Sequence, residues 1–563
     1  MRNKTFFLTI ISLCLMALTV KGDEKERMQW FKDAKLGVFI HYGIYAVDGI
    51  DESWSFFNGY ISHKDYMKQL DGFTASNYDT DRWARLFKEA GAQYIIMTSK
   101  HHDGVALWES DTDHLNVVDH TPANRDLVTP FMNSMRDHGM KAGLYYSLID
   151  WSYPNYPAFT RDSVRYHNDP ERWEEFRLFM FKQLEEIADK FDPAVYWFDG
   201  DWEHSADEWH SSKIREMILN NNSSAIINDR LNEYGDYSTP EQGMPVAQPA
   251  NKYWELCLTT NDSWGYQHQD VNYKTPYQVI WTFADCISKG GNLLLNVGPK
   301  EDGTIPKPQK EILKEMGRWT NKHKEAIYGT RKGIPKENFN GLSSTSADNK
   351  TIYLYIDYTP NIPIKIKGLK SEVKDIRVVG KDNNIDFNYN RNSKELSFKF
   401  AKELADEKLT VIAVDLEEEA KLETPSQTLA EDLIDKLKED DRWYKKHKHV
   451  LQNAKEGISP IHYAGTTLLS KDEEILYLVV EGDPHGPVVI KGLNNKINRI
   501  WVAGHGSQLP HEVMGDIYWS SFPGTAYIDI PKRVQDEKAT VIALLLEGKI
   551  SLYSEEGHAI ESN

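Results

Sequence analysis

The feature that most constrains how this chain can fold is an alternation, sustained over residues 28–330, of short apolar runs with longer amphipathic ones. Leu36–His41, Tyr94–Ser99, Lys141–Ser147, Ala194–Asp199, Ala225–Asn228, Tyr253–Leu258 and Leu293–Val297 are too short for helices and rich in strand formers. Between them lie helical patterns: Asp81–Ala90 closed by Gly91, Pro130–His138 closed by Gly139, a helix opening at Asp169-Pro170, and a last one over Pro308–Lys324. Apolar strands alternating with helices predict an α/β architecture with a parallel sheet. Seven or eight strands over about 300 residues suit one (β/α)8-like TIM barrel.

The strand ends locate the chemistry. Phe39-Ile-His41, Ser99-Lys-His101-His102-Asp103, Leu144-Tyr-Tyr146, Trp197-Phe-Asp199 and Asn228-Asp-Arg230 each put ionisable or phenolic groups directly after an apolar run. In a barrel of this kind the C-terminal strand ends converge on one pocket. A single carboxylate there could cap a turn, and a single histidine could sit satisfied in the core. Five such ends together describe a pocket lined by His, Tyr, Trp, Arg and carboxylates. Two adjacent histidines, His101 and His102, cannot both face a core.

Beyond residue 335 the pattern changes to short alternating segments such as Thr351-Ile-Tyr-Leu-Tyr-Ile, which predict β-sandwich structure, and the block recurs. Tyr353-Leu-Tyr-Ile matches Tyr477-Leu-Val-Val, Ile366-Lys-Gly-Leu369 matches Ile490-Lys-Gly-Leu493, and Ile376-Arg-Val-Val-Gly380 matches Ile500-Trp-Val-Ala-Gly504 at a constant offset. Asp406-Glu-Lys-Leu-Thr-Val matches Asp536-Glu-Lys-Ala-Thr-Val after a gain of six residues. The expected organisation is a signal peptide (1–22), a catalytic barrel (23–335), a first β-sandwich-like domain (336–420), a charged helical connector (421–452) and a duplicated second β-sandwich-like domain (453–563). The charge run in the connector, Thr428–Leu451, reads as a solvated face.

Bulk properties narrow the partners. A formal charge of −19 argues against nucleic acid and anionic membranes, which require clustered Lys and Arg. The 16 Trp and 29 Tyr suit stacking surfaces for sugars. Met1-Arg-Asn-Lys-Thr followed by apolar Phe6–Val20 has signal-peptide form, so a secreted or periplasmic protein is expected, without membrane insertion once that segment is removed. Cys257 and Cys286 lie in apolar contexts and read as buried thiols rather than a disulfide. No cysteine–histidine spacing typical of zinc occurs, and neither a metal nor another cofactor is expected.

Taken with Trp30-Phe-Lys-Asp-Ala-Lys-Leu-Gly-Val-Phe-Ile-His41, Lys100-His-His-Asp-Gly104, Ser263-Trp-Gly-Tyr266 and Gly291-Asn-Leu-Leu-Leu-Asn-Val-Gly298, these motifs resemble the α-L-fucosidases of glycoside hydrolase family 29 from about residue 28 to 335 and into the first β-domain. Tyr42 and Val105 depart from that pattern, and so does the second β-domain. The resemblance implies an exo-acting retaining hydrolase that releases terminal α-L-fucose from fucosylated glycans. Such a mechanism needs a nucleophile and an acid/base carboxyl about 5 Å apart. Asp199 matches the nucleophile. Glu241, on the loop after the fifth strand, resembles the acid/base, with Glu255 and Glu52 as rivals. His41, His101, His102, Tyr146, Trp197 and Arg230 match contacts to the sugar or the nucleophile, and Phe39 and Trp264 match an apolar wall for the C5 methyl. An enzyme for another α-L-galacto-configured sugar, such as L-galactose, and a catalytically silent carbohydrate-binding protein are the alternatives.

Overall fold

The protein is represented by a computed structural model that describes residues 24–516 and 521–554; the expected signal peptide lies outside them. The described chain divides into two compact units, one formed by residues up to 238 with 259–273 and 294–313, the other by 239–258, 274–293 and 314 onward.

The seven expected barrel strands form one sheet. They are β1 (Leu36–Ile40), β2 (Tyr94–Lys100), β3 (Lys141–Ser147), β4 (Val195–Asp199), β5 (Ile226–Ile227), β6 (Glu255–Thr259) and β7 (Asn292–Val297), in the order β5-β4-β3-β2-β1-β7-β6. Consecutive strands from β1 to β5 pair in parallel. Burial on both faces explains why these runs are apolar throughout rather than alternating. The main helices of the first unit are α1 (Thr80–Ala90), α2 (Val128–Asp137), α3 (Pro170–Phe191) and α4 (Ser211–Asn221). Asp79 caps α1 through the Arg82 amide and Asp169 caps α3 through the Arg172 amide, with Pro170 at the first turn.

No regular eighth strand occurs among the described residues. Residues 236–242 run instead as an irregular segment with one parallel bridge near each end, Tyr237 to Asn228 and Glu241 to Cys257. Asp236 pins its start by accepting from Arg27, Arg215 and the Ile227 amide. Pro240, which has no N–H to donate, interrupts any continuous ladder.

In the second unit, α5 (Pro276–Ser288) and the end of α6 (Lys307–Lys322) accompany two β-sandwiches of identical topology. The first pairs a five-stranded sheet, built on Thr351–Ile356 and Thr410–Leu416, with a three-stranded one, Ile364–Lys367, Glu395–Phe398 and Phe387–Asn390. The second repeats this with Ile475–Glu481 and Ala539–Leu546 over Val488–Lys491, Thr525–Ile528 and His511–Met514. Each sandwich has its own apolar cluster, centred on Ile352, Ile366 and Ile412 in one and on Leu476, Ile490 and Ile542 in the other. Cys257 and Cys286 are buried free thiols.

The connector is two helices, α7 (Leu429–Lys438) and α8 (Asp441–Leu451), with Asp440 capping the second. Its charged face is exposed, but Leu433, Leu437, Trp443 and Val450 pack on Val479 and Val541 of the second sandwich. The sequence of α8 also repeats α6: Arg318-Trp-Thr-Asn-Lys-His-Lys becomes Arg442-Trp-Tyr-Lys-Lys-His-Lys. Trp319 donates to the Leu409 carbonyl as Trp443 does to that of Ala539, and Lys322 meets Asp406 as Lys446 meets Asp536. The duplicated piece is therefore a sandwich together with the helix it rests on.

Candidate active site

Asp199 ends β4, and the chain turns away at once because Gly200 adopts φ +87°, where a Cβ would strike Ile149. Both carboxylate oxygens are engaged. Oδ1 accepts from Arg230 Nη1 at 2.8 Å and Oδ2 from the Tyr145 hydroxyl at 2.8 Å, with His102 Nε2 3.6 Å from Oδ2. The Arg230 guanidinium also lies 4.6 Å from the centre of the Trp197 ring, which stacks on Tyr145 at 5.6 Å. Strand register builds this face: Tyr145 pairs with Trp197 and Ser147 with Asp199, so all four side chains leave the sheet on one side.

Three histidines close one wall. His41 Nδ1 is hydrogen-bonded to Asn296 Oδ1 at 2.7 Å, His101 Nδ1 to the Ser53 hydroxyl at 2.5 Å, and His102 Nδ1 to the Ser147 hydroxyl at 2.6 Å. Burial lowers all three, His41 to about 4 and His102 to about 3. At neutral pH they are uncharged rings fixed by one nitrogen each, suited to exchanging hydrogen bonds with hydroxyls.

The apolar side is formed by Phe39, which meets Trp197 at 4.9 Å and Trp264 at 6.0 Å between ring centres. Trp264 lies against His41, and its carbonyl accepts from Asn296. Glu52 is buried and accepts from the Gly265 amide, fixing the loop that carries Trp264. Burial, with Asp51 beside it, raises Glu52 well above the usual carboxylate range. In the second unit, Glu255 is the fully buried first residue of β6. Glu241 is also buried there, tied to that strand by the Gln242 amide on the Cys257 carbonyl and the Cys257 amide on the Pro240 carbonyl.

A family model for α-L-fucosidase matches residues 17–325. The chain belongs to the α-L-fucosidase family. Among its relatives, the α-L-fucosidase of Dictyostelium discoideum is 28% identical over 369 residues, 59% of this chain and 78% of that one. The solved structure of α-L-fucosidase isoenzyme 1 from Paenibacillus thiaminolyticus superposes with a TM-score of 0.66 at 32% identity, covering 70% of this chain and 100% of the other. A family 29 α-L-fucosidase from Bacteroides thetaiotaomicron, solved as a trapped covalent intermediate with 2-fluoro-fucosyl fluoride, superposes at 0.63 with 26% identity over 69% of this chain and 96% of that one. These α-L-fucosidases are glycosidases, and fucosylated glycans are the substrate class that membership implies.

Within this α-L-fucosidase fold the structure corrects one expected position. Tyr146 does not face Asp199: its hydroxyl donates to Gln183 and accepts from Lys100, on the side of the sheet covered by α3. Its neighbour Tyr145 takes the place beside the carboxylate. Asn296, which orients His41, was also unassigned, as were Trp54 and Trp202, partly exposed rings that stack at 6.5 Å and flank His102. Their only signal was adjacency to Glu52 and Asp199. Among the described residues no group of three or more His, Cys, Asp or Glu could hold a metal ion, and no helix is long and apolar enough to cross a membrane.

Proposed function

We propose that this chain releases terminal α-L-fucose with retention by double displacement, with Asp199 as nucleophile and Glu241 as acid/base. The observation that carries the reading is the grip on Asp199: Arg230 and Tyr145 orient its carboxylate among neutral hydrogen-bonding rings. Asp199 attacks the anomeric carbon while Glu241 gives its proton to the departing glycosidic oxygen. Glu241 then takes a proton from water, which attacks the same carbon and frees Asp199. The trapped intermediate of the Bacteroides thetaiotaomicron relative supports a covalent step.

His41, His101 and His102 would bind the sugar hydroxyls, and Phe39, Trp197 and Trp264 would face its apolar edge and C5 methyl. Glu52 would act through Gly265, and Glu255 as a strand-end carboxylate holding its neighbours. The N-terminal segment supports export of the mature protein. The separate apolar clusters support boundaries near 335, 420 and 452.

The test is turnover of 4-nitrophenyl α-L-fucoside, with proton NMR of the first-formed anomer. Release of α-L-fucose, its abolition in Asp199→Asn, and labelling of Asp199 by 2-fluoro-fucosyl fluoride are expected. Release of the β-anomer would overturn the mechanism, and turnover of the matching α-L-galactoside alone would overturn the substrate.

A further inference from the structure

The two sandwiches differ in length at one place. The hairpin joining Phe387–Asn390 to Glu395–Phe398 has four connecting residues, 391–394. Its counterpart between His511–Met514 and Thr525–Ile528 has ten, 515–524. The strands on either side keep the same pairing register, so all six added residues fall in this connection.

Two residues of this connection, Gly515 and Phe522, reach the segment that carries Glu241. The Phe522 ring lies so close to Gly243 that a Cβ built there would stand 2.5 Å from it, so only glycine allows the contact. Phe522, 2% exposed, forms an apolar cluster with Val246 and Tyr553, with Ile461 packed against it. Gly515 in the same hairpin faces the Gln242 carbonyl. Residues 241–243 are thus fixed from two sides, by β6 through Cys257 and by the hairpin through Phe522.

A second change serves the same contact. Glu423 and Tyr553 are repeat equivalents, each donating its amide to the carbonyl of the equivalent glycine, Gly368 or Gly492. In the first copy that position holds a carboxylate paired with Lys394 and Lys370 at the surface. In the second it holds a tyrosine, 7% exposed, whose ring meets Phe522 at 5.7 Å. One corner of the duplicated sandwich has exchanged a solvated ion pair for an apolar face, and that face covers Val246.

We infer that the second sandwich is a positioning element for catalysis: its lengthened hairpin, through Phe522 and Tyr553, holds the 241–246 segment so that Glu241 presents its carboxyl to the departing oxygen. The inference rests on Glu241 as the acid/base. A held general acid matters when the leaving group needs a proton and little when it does not.

The experiment compares kcat/KM of the full-length protein on phenyl α-L-fucoside, a poor leaving group, and on α-L-fucosyl fluoride, which departs with little assistance. Glu241→Ala is expected to lose about 100-fold or more on the first and far less on the second. Phe522→Ala should lose about 10-fold on the phenyl fucoside and under about 2-fold on the fluoride, a selectivity that general loosening of the fold would not produce. Phe522→Leu should recover most of it. Replacing residues 515–524 by the first copy's Arg391-Asn-Ser-Lys394 should reproduce the Phe522→Ala pattern, with thermal unfolding verifying that each variant is folded. Equal losses on both substrates, or none, in the Phe522 and hairpin variants beside the expected Glu241→Ala behaviour would overturn the inference alone. A Glu241→Ala enzyme indifferent to the leaving group would overturn the acid/base assignment, and the inference with it.

Discussion

The two sandwiches share a topology, a supporting helix and most of their anchoring contacts, yet they use them on different partners. In the first copy Lys367 reaches the connector, meeting Asp432 at 3.2 Å; in the second its equivalent Lys491 is buried against Asp285 of α5. Asn338 and His462 are likewise equivalent, each bonding the carbonyl of that lysine and accepting its amide. What changed after duplication is therefore the outward end of a conserved contact, not the contact's frame. A sandwich's two inner faces fill its core and tolerate little alteration, whereas hairpin tips and strand-end side chains can acquire new partners without disturbing packing.

The largest expected effect tests that contrast. Lys491→Ala removes a buried partner of Asp285, whose carboxyl is held well below its usual range by Lys289 and Lys491 although burial alone would raise it. Breaking such a buried pair costs ~3–5 kcal/mol, while Lys367→Ala, facing a partly exposed Asp432, costs about 1 kcal/mol. Urea unfolding followed by tryptophan fluorescence measures both, and equal losses would mean that the two lysines do not play different parts. Trp319→Ala and Trp443→Ala probe what the copies share. Each deletes a buried indole and its bond to a strand carbonyl, so each should cost ~3–5 kcal/mol, within about 1 kcal/mol of the other.

Acid sensitivity refines the comparison. His323 and His447 are equivalent, fully buried, and hydrogen-bonded through Nδ1 to the tryptophan carbonyl one turn earlier. Burial lowers both, His323 to about 4. The unfolded chain then binds protons that the folded chain does not, so stability present above pH 6.5 is lost as pH falls toward 4. The loss is up to about 1.4 kcal/mol per pH unit per histidine. His323→Gln should flatten the fall of Tm between pH 6.5 and 4, and His447→Gln should flatten it in the same direction; an unchanged profile in either would remove that histidine from the account. The smallest effect is expected at Lys322 and Lys446, whose side chains are about a quarter exposed. Alanine at either should cost about 0.5–1 kcal/mol by thermal unfolding, and less at high salt.

Much of this architecture was legible in the residues. The helix start at Asp169-Pro170, runs such as Ala194–Asp199, and the repeat offsets are all local signals, and the run placed Asp199 at its strand end. The choice between Tyr145 and Tyr146 was not legible, because β3 is buried on both faces and its alternation carries no polarity to set the parity. Glu241 was singled out by the family resemblance and not by a strand end, since residues 236–242 lack a regular ladder. The connector's charges concealed a packed face: Trp443, His447 and Val450 lie one turn apart along α8, and the repeat of α6 is short enough to be obscured by its lysines.

The sequence alone determined the fold class, the duplication with its six-residue gain, and the carboxylate that ends the fourth strand, because each depends on periodicity or on self-similarity within the chain. Only the tertiary structure decided which groups meet that carboxylate, which side of the sheet each tyrosine takes, and where the lengthened hairpin arrives. Arg230 and Tyr145 reach Asp199 from 31 and 54 residues away, and Phe522 of the second sandwich's hairpin reaches Gly243 from far along the chain. Such contacts are created by the packing of whole layers, and no local pattern encodes them.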